Sequence, residues 1–203
     1  MSTCTNTLTM FGAREELDML LEFIKSGDQP ISLNNIVPSP EELLTSSKAG
    51  IITPSLVEKY GSMDIGTWRI ENWGCTKDAT AGKVIEDKAV PFERLMKAGV
   101  ENLREAVSEG QDAGAVVLSF ETNSHPNNAI GALSEKFANI RIHYAYDNER
   151  EGVCGWAVLL AGDVKGYREY DDCLTAIRLH IEPMHSESGS LLEALKGSDE
   201  DNN

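Results

Sequence analysis

Two tryptophans stand five residues apart in the segment Trp68-Arg69-Ile70-Glu71-Asn72-Trp73-Gly74-Cys75-Thr76-Lys77-Asp78-Ala79, interleaved with charged and amide side chains. An indole face stacks on planar ligands and on cations, and Arg or Lys beside it can hold a carboxylate or phosphate. Further along, Thr122 and His125 supply a hydroxyl and an imidazole able to accept a proton. The residues with the means to bind a ligand are therefore Trp68, Arg69, Asn72, Trp73, Lys77, Asp78, Thr122 and His125. Each also has a plainer use. Read as a strand, Trp68 to Thr76 sends its two tryptophans to opposite faces, one of them into the core. Arg69 and Glu71 then share a face and form an ion pair. Asn72 satisfies turn or edge backbone groups, and His125, ahead of Pro126, sits where a helix cap would. No nucleophile elbow, P-loop, HExxH or paired-carboxylate motif is present, so no catalytic residue is assigned.

Charge narrows the classes further. The 203 residues carry 18 basic and 33 acidic side chains, a net charge of −15. Six acids against one base from Glu182 onward leave −10 on the rest. Such a chain repels a phosphate backbone, because nucleic-acid affinity comes from Lys and Arg displacing counterions. A basic protein partner fits better, and Glu151, Asp163, Glu169, Asp171 and Asp172 are the acids expected to form one face. Cys4, Cys75, Cys154 and Cys173 are scattered, and neither they nor the four histidines show ligand spacing, so no metal or cofactor is expected. The chain does not open on a basic region followed by an apolar stretch, and no apolar run has the length of a membrane span. A cytoplasmic protein with reduced thiols is expected.

The elements that must position these residues read as follows. Thr5 to Phe11 alternates as a strand, with Leu8 and Met10 on one side. Leu17, Leu20, Leu21 and Ile24 then trace a helix over 14–26, ended at Gly27. Residues 30–38 read as a loop or arm. Ser39-Pro40 and Thr53-Pro54 each open a short helix, and Gly50 and Gly61 close them. A helical stripe runs from Phe92 to Val107, and residues 115–121 read as a central strand. Pro126 opens a helix faced by Ile130, Leu133 and Phe137. Residues 140–146 and 153–161 make a hairpin, with Tyr144, Tyr146 and Trp156 as its aromatic cluster and His143 pointing outward. Residues 164–170 form an edge strand, while 174–181 fits strand or helix equally. This order predicts an α+β fold: a ferredoxin-like antiparallel sheet with two helices on one face, a helical insertion and extra C-terminal strands. One domain spans 1–182, with insertions at 28–67 and 80–113, and an acidic, mostly disordered tail follows at 183–203.

Three local features carry a resemblance: Cys4-Thr5-Asn6-Thr7-Leu8, Trp68-Arg69-Ile70-Glu71-Asn72-Trp73-Gly74, and Phe120-Glu121-Thr122 followed by Pro126. Together they resemble the ferredoxin-like domain family of plasmid YubB and phage Api-type proteins, whose motifs are C-x-N-x-L, W-x-x-x-N-W-G-T-K-W and F-x-T-A-W-x-P-P. The chain departs from them at Cys75 to Asp78 and at Asn123 to His125, where family tryptophans are missing. The resemblance implies the fold and a setting on phages or mobile elements within a bacterial host cell, and implies no particular chemistry. With the acidity, it leads to the expectation of a non-catalytic protein that binds a host protein and inhibits a host defence system through an acidic surface. The alternative is a small-molecule or nucleotide binder, or an enzyme, built from Trp68–Asp78 and Thr122–His125. RNA binding on the uncovered sheet face is disfavoured by the charge and by the lack of an aromatic and basic strand pattern.

Overall fold

The computed structural model describes residues 3–90, 112–149 and 151–170. The stripe at 92–107, the segment 174–181, the tail, and Asp171 and Asp172 lie outside the described residues. Strand β1 (Cys4–Ala13) runs straight into helix α1 (Arg14–Ile24). Four short helices follow: α2 (Leu33–Ile36), α3 (Glu41–Ala49), α4 (Pro54–Tyr60) and α5 (Ile65–Trp73). Then come β2 (Thr80–Val90), β3 (Ala113–Thr122), α6 (Asn127–Lys136), β4 (Arg141–Asn148), β5 (Val153–Leu160) and β6 (Asp163–Tyr170). The strands form one six-stranded antiparallel sheet in the order β2-β3-β1-β4-β5-β6. The fold is α+β.

The alternation in β1 sets the layers. Leu8 lies opposite Leu118 on β3 and Tyr144 on β4, and Met10 lies opposite Val116 and Ile142. This face receives Leu17, Leu20 and Ile24 of α1 and Ala129, Ile130 and Leu133 of α6 in one buried core. Burying each of these leucine and isoleucine side chains contributes on the order of 1.5–3 kcal/mol. Glu15 and Glu16 sit in the first turn of α1, where a negative charge offsets the helix dipole. The helix stops at Lys25, and Gly27 takes the left-handed conformation in the turn between Ser26 and Gln29. Gly50 and Gly61 close α3 and α4 in the same conformation, as their positions in the sequence require. Ile36 and Leu43 join the main core, which ties this helical segment to the sheet domain.

Four readings change. Residues 68–76 are not a strand: Asp64 accepts from the backbone N–H and hydroxyl of Thr67, which starts helix α5, and Gly74 at φ +92° ends it. Within 30–38, residues 33–36 form α2. Residues 80–90, placed in a variable segment, form strand β2 of the sheet. His143 is buried, not exposed: it stands on the sheet face away from α1 and α6, and that face also buries Phe11, Ala115 and Val158. The phenyl ring of Phe11 meets the His143 ring edge-on at 5.5 Å.

Candidate functional site at the joint of two helices

The two motif segments come together. Asn123 extends its side-chain oxygen to the backbone N–H groups of Thr76 (3.1 Å) and Lys77 (3.0 Å). Asn128 donates to the carbonyl of Glu71 at 2.8 Å, which ties the start of α6 to the end of α5. Gly74 makes the joint: a Cβ there would lie 2.7 Å from the His125 carbonyl oxygen and 3.0 Å from the Asn127 nitrogen. The position needs both the left-handed backbone and the missing side chain.

The candidate binding residues are mostly engaged in this joint. Trp73 is fully buried and its indole N–H donates to the Val37 carbonyl at 2.8 Å. Trp68 is also buried and meets the Trp73 ring edge-on at 6.4 Å, so the two indoles touch instead of facing opposite sides of a sheet. The Arg69 guanidinium lies 4.4 Å from the Trp73 ring centre and donates to the Ser39 hydroxyl and the Thr76 carbonyl. The expected Arg69–Glu71 pair does not form, because neighbours in a helix point about 200° apart over two residues; Glu71 accepts instead from the Ser62 hydroxyl at 2.5 Å. Asn72 donates back to the Trp68 carbonyl within α5. Asp78 accepts from the Ser32 hydroxyl (2.8 Å) and the N–H groups of Leu33 (2.6 Å) and Ala79 (2.8 Å), so it caps α2 from a distance. Asp78→Ala is expected to lower the unfolding free energy by about 2 kcal/mol in urea melts. An unchanged urea midpoint would show that the cap contributes nothing. Lys77 alone of the set is exposed.

Beneath the joint lies a polar seam that sequence reasoning missed. Asn6 on β1 donates to the Thr122 hydroxyl (2.7 Å) and the Cys4 carbonyl, and accepts from the Tyr144 hydroxyl (2.9 Å). Thr122 passes its own hydroxyl to the Ser124 carbonyl at 2.6 Å. The signal was available: Asn6 interrupts the apolar side of an otherwise regular strand, and a buried amide requires partners. Burial pushes the Cys4 and Cys75 thiols up to about 12. Both therefore stay protonated and are poor nucleophiles.

His125 does not cap α6, whose first residue follows Pro126 with no side-chain cap. Its ring stacks on Tyr146 at 4.7 Å and buries Nδ1. Tyr146 lies flat across β5 and donates to the Glu169 carboxylate on β6. Gly155 makes this possible, since a Cβ there would sit 2.6 Å from the Tyr146 hydroxyl. Gly155→Ala should displace the ring, break the Glu169 bond and destabilise the fold by about 2 kcal/mol. Retention of the Tyr146 ring position in a crystal of the variant would contradict this. Trp156 takes no part in the tyrosine cluster: it pairs with Ala145, so it faces the other side of the sheet and packs its ring near Gly166.

The expected acidic face is also mostly engaged. Glu151 accepts from Asn148 at 2.8 Å, Asp163 pairs with Lys165 at 3.2 Å, and Glu169 is held by Tyr146. Within β6, Lys165 and Arg168 balance Asp163 and Glu169. No group of residues able to hold a metal ion occurs among the described residues. No described helix is long and apolar enough to cross a membrane.

No protein-family model and no curated protein matches the chain. A solved structure, the protein api92 from Yersinia pseudotuberculosis (family DUF1281), is similar over 84% of this chain and 98% of its own, at 10% identity and a TM-score of 0.47. At that level the likeness assigns no function.

Proposed function

We propose that the protein acts by binding another protein and not by catalysis. The observation that carries this reading is the engagement of the motif residues. Arg69, Asn72, Trp73, Asp78 and Thr122 all spend polar groups on bonds inside the fold, to Ser39, Trp68, Val37, Leu33 and Ser124 in turn. A group committed to the resting fold has to break those bonds before it can serve a substrate. In this reading β1-α1-β2-β3-α6-β4 is a ferredoxin-like unit, supported by the inner strand order β2-β3-β1-β4 and by two helices on one face. The chain is a phage or mobile-element protein, its partner is a basic host protein, and covering that partner's surface inhibits a host defence system. The charge of −15 supports a basic partner.

The test is capture of partners by tagged protein in bacterial cells, followed by reconstitution with the purified partner. A complex with a basic protein that weakens steeply with salt is expected. Substrate turnover that disappears in Lys77→Ala or His125→Ala, with melting temperature unchanged, would replace this reading with an enzymatic one.

A further inference from the structure

The strand order leaves β2 at one edge of the sheet, and among the described residues its strand partner is β3. On the helix-bearing side a cleft of about 590 Å³ lies between β2 and α1. Val84 contributes an apolar surface from β2 and is 47% exposed. Leu21, Glu22 and Asp18 of α1 and Asp28 of the following turn form the opposite wall. At one end Arg14 donates to both Asp18 and Asp87, which clamps the helix to the strand.

Four carboxylates line this cleft: Asp18, Glu22, Asp28 and Asp87. Its two cations are already committed, Arg14 to Asp18 and Asp87, and Lys25 to Glu22 at 3.7 Å. The cleft is thus an apolar strip beside an edge strand, with an excess of negative charge.

We propose that the side of β2 away from β3 takes up an extended, basic segment of a partner protein as a further strand, whose helix-side side chains reach into the α1–β2 cleft. Strand addition draws affinity from main-chain hydrogen bonds and specificity from alternate side chains. Every second side chain of the segment faces the helix side; apolar ones there would rest on Val84 and Leu21, and a Lys or Arg two positions along would meet Glu22 and Asp28. Charge sorts the other occupants. The chain's own tail from Glu182 onward carries six acids against one base and is repelled. A second copy joined β2 to β2 would bring Lys83 and Lys88 together with Glu86 and Asp87, and so no net positive charge to match the cleft. This inference rests on the protein-binding reading and gives it a place.

The experiment uses the full chain and a fluorescein-labelled octapeptide with valine and lysine in turn at every second position and threonine between them, followed by anisotropy. The lysine peptide is expected to bind, and the double variant Glu22→Lys/Asp28→Lys to weaken it about tenfold, with a similar loss in high salt. Circular dichroism checks that the variant is folded. Methylating alternate backbone nitrogens of the peptide should weaken binding by a similar factor, because strand donors are lost. Equal binding of a glutamate–valine peptide overturns the charge argument, and equal binding of the methylated peptide overturns strand addition. Capture of a cellular partner at the wild-type level by the folded double variant removes the cleft from recognition and leaves protein binding standing.

Discussion

Trp73→Ala is expected to lower the unfolding free energy by about 4 kcal/mol. The side chain is fully buried, so truncation opens a large cavity beside Trp68. It also leaves the Val37 carbonyl without the indole donor and the Arg69 guanidinium without its ring. The three losses lie at one point, where α5 is held to the segment before Ser39, and they leave little room for the site to collapse. At about 2–4 °C per kcal/mol for a chain of this size, the midpoint of thermal unfolding should fall by roughly 10 °C. Trp73→Phe restores much of the packing but not the hydrogen bond, and should cost about half as much. Urea unfolding with a single slope for all three proteins is the measurement. A Trp73→Ala protein that melts with the wild type would mean that the joint is not held together by this residue.

Acid should weaken the fold before its carboxylates are protonated. His143 is buried, and its Nε2 accepts a hydrogen bond from the Arg141 guanidinium at 2.9 Å, so the neutral ring is the form the site holds. Burial first, and then the Arg141 charge, lower its pKa from 6.5 to about 4. The unfolded chain therefore takes up a proton near pH 6.5, whereas the folded chain resists until about pH 4. The stability due to the neutral ring is fully present above pH 6.5 and is lost as pH falls through that window, by on the order of 3 kcal/mol in all. About 2 kcal/mol of this should appear between pH 7 and pH 5, where carboxylates still stay ionised. Comparing urea midpoints at those two values for the wild type and His143→Gln isolates the effect. If both lose stability equally, His143 is not the source.

The sequence was legible where one element explains its own pattern. The stops at Gly50 and Gly61, the alternation in β1 and the stripe of α1 need no distant partner to be read. Helix α5 was misread because two tryptophans and an isoleucine resemble a strand by composition. The sharper signals were its ends, Asp64 ahead of Ile65 and Gly74 after Trp73. Strand β2 was hidden by Lys83, Glu86, Asp87 and Lys88, charges that an edge strand tolerates and a central one does not. His143 was misplaced for a tertiary reason: alternation says which face a side chain takes, and not whether that face is covered. Among the site residues, the meeting of Trp68–Asp78 with Thr122–His125 was legible as a grouping. The use each side chain makes of that meeting depends on hydrogen bonds to Val37, Ser32, Leu33 and Asn6, which no local pattern contains.

The central position of β1 has a kinetic consequence. Asn6 finds Thr122 across 116 residues of chain and Tyr144 across 138. Closing a loop of that length costs about 4 kcal/mol of entropy before any contact repays it. The β4-β5-β6 meander closes through short turns and can assemble early, whereas β1 has to find β3 and β4 across more than half of the chain. Refolding should therefore be limited by capture of the N-terminal strand and be slow for a chain of this size. Until that capture, the inner edges of β3 and β4 stay open to the wrong partners.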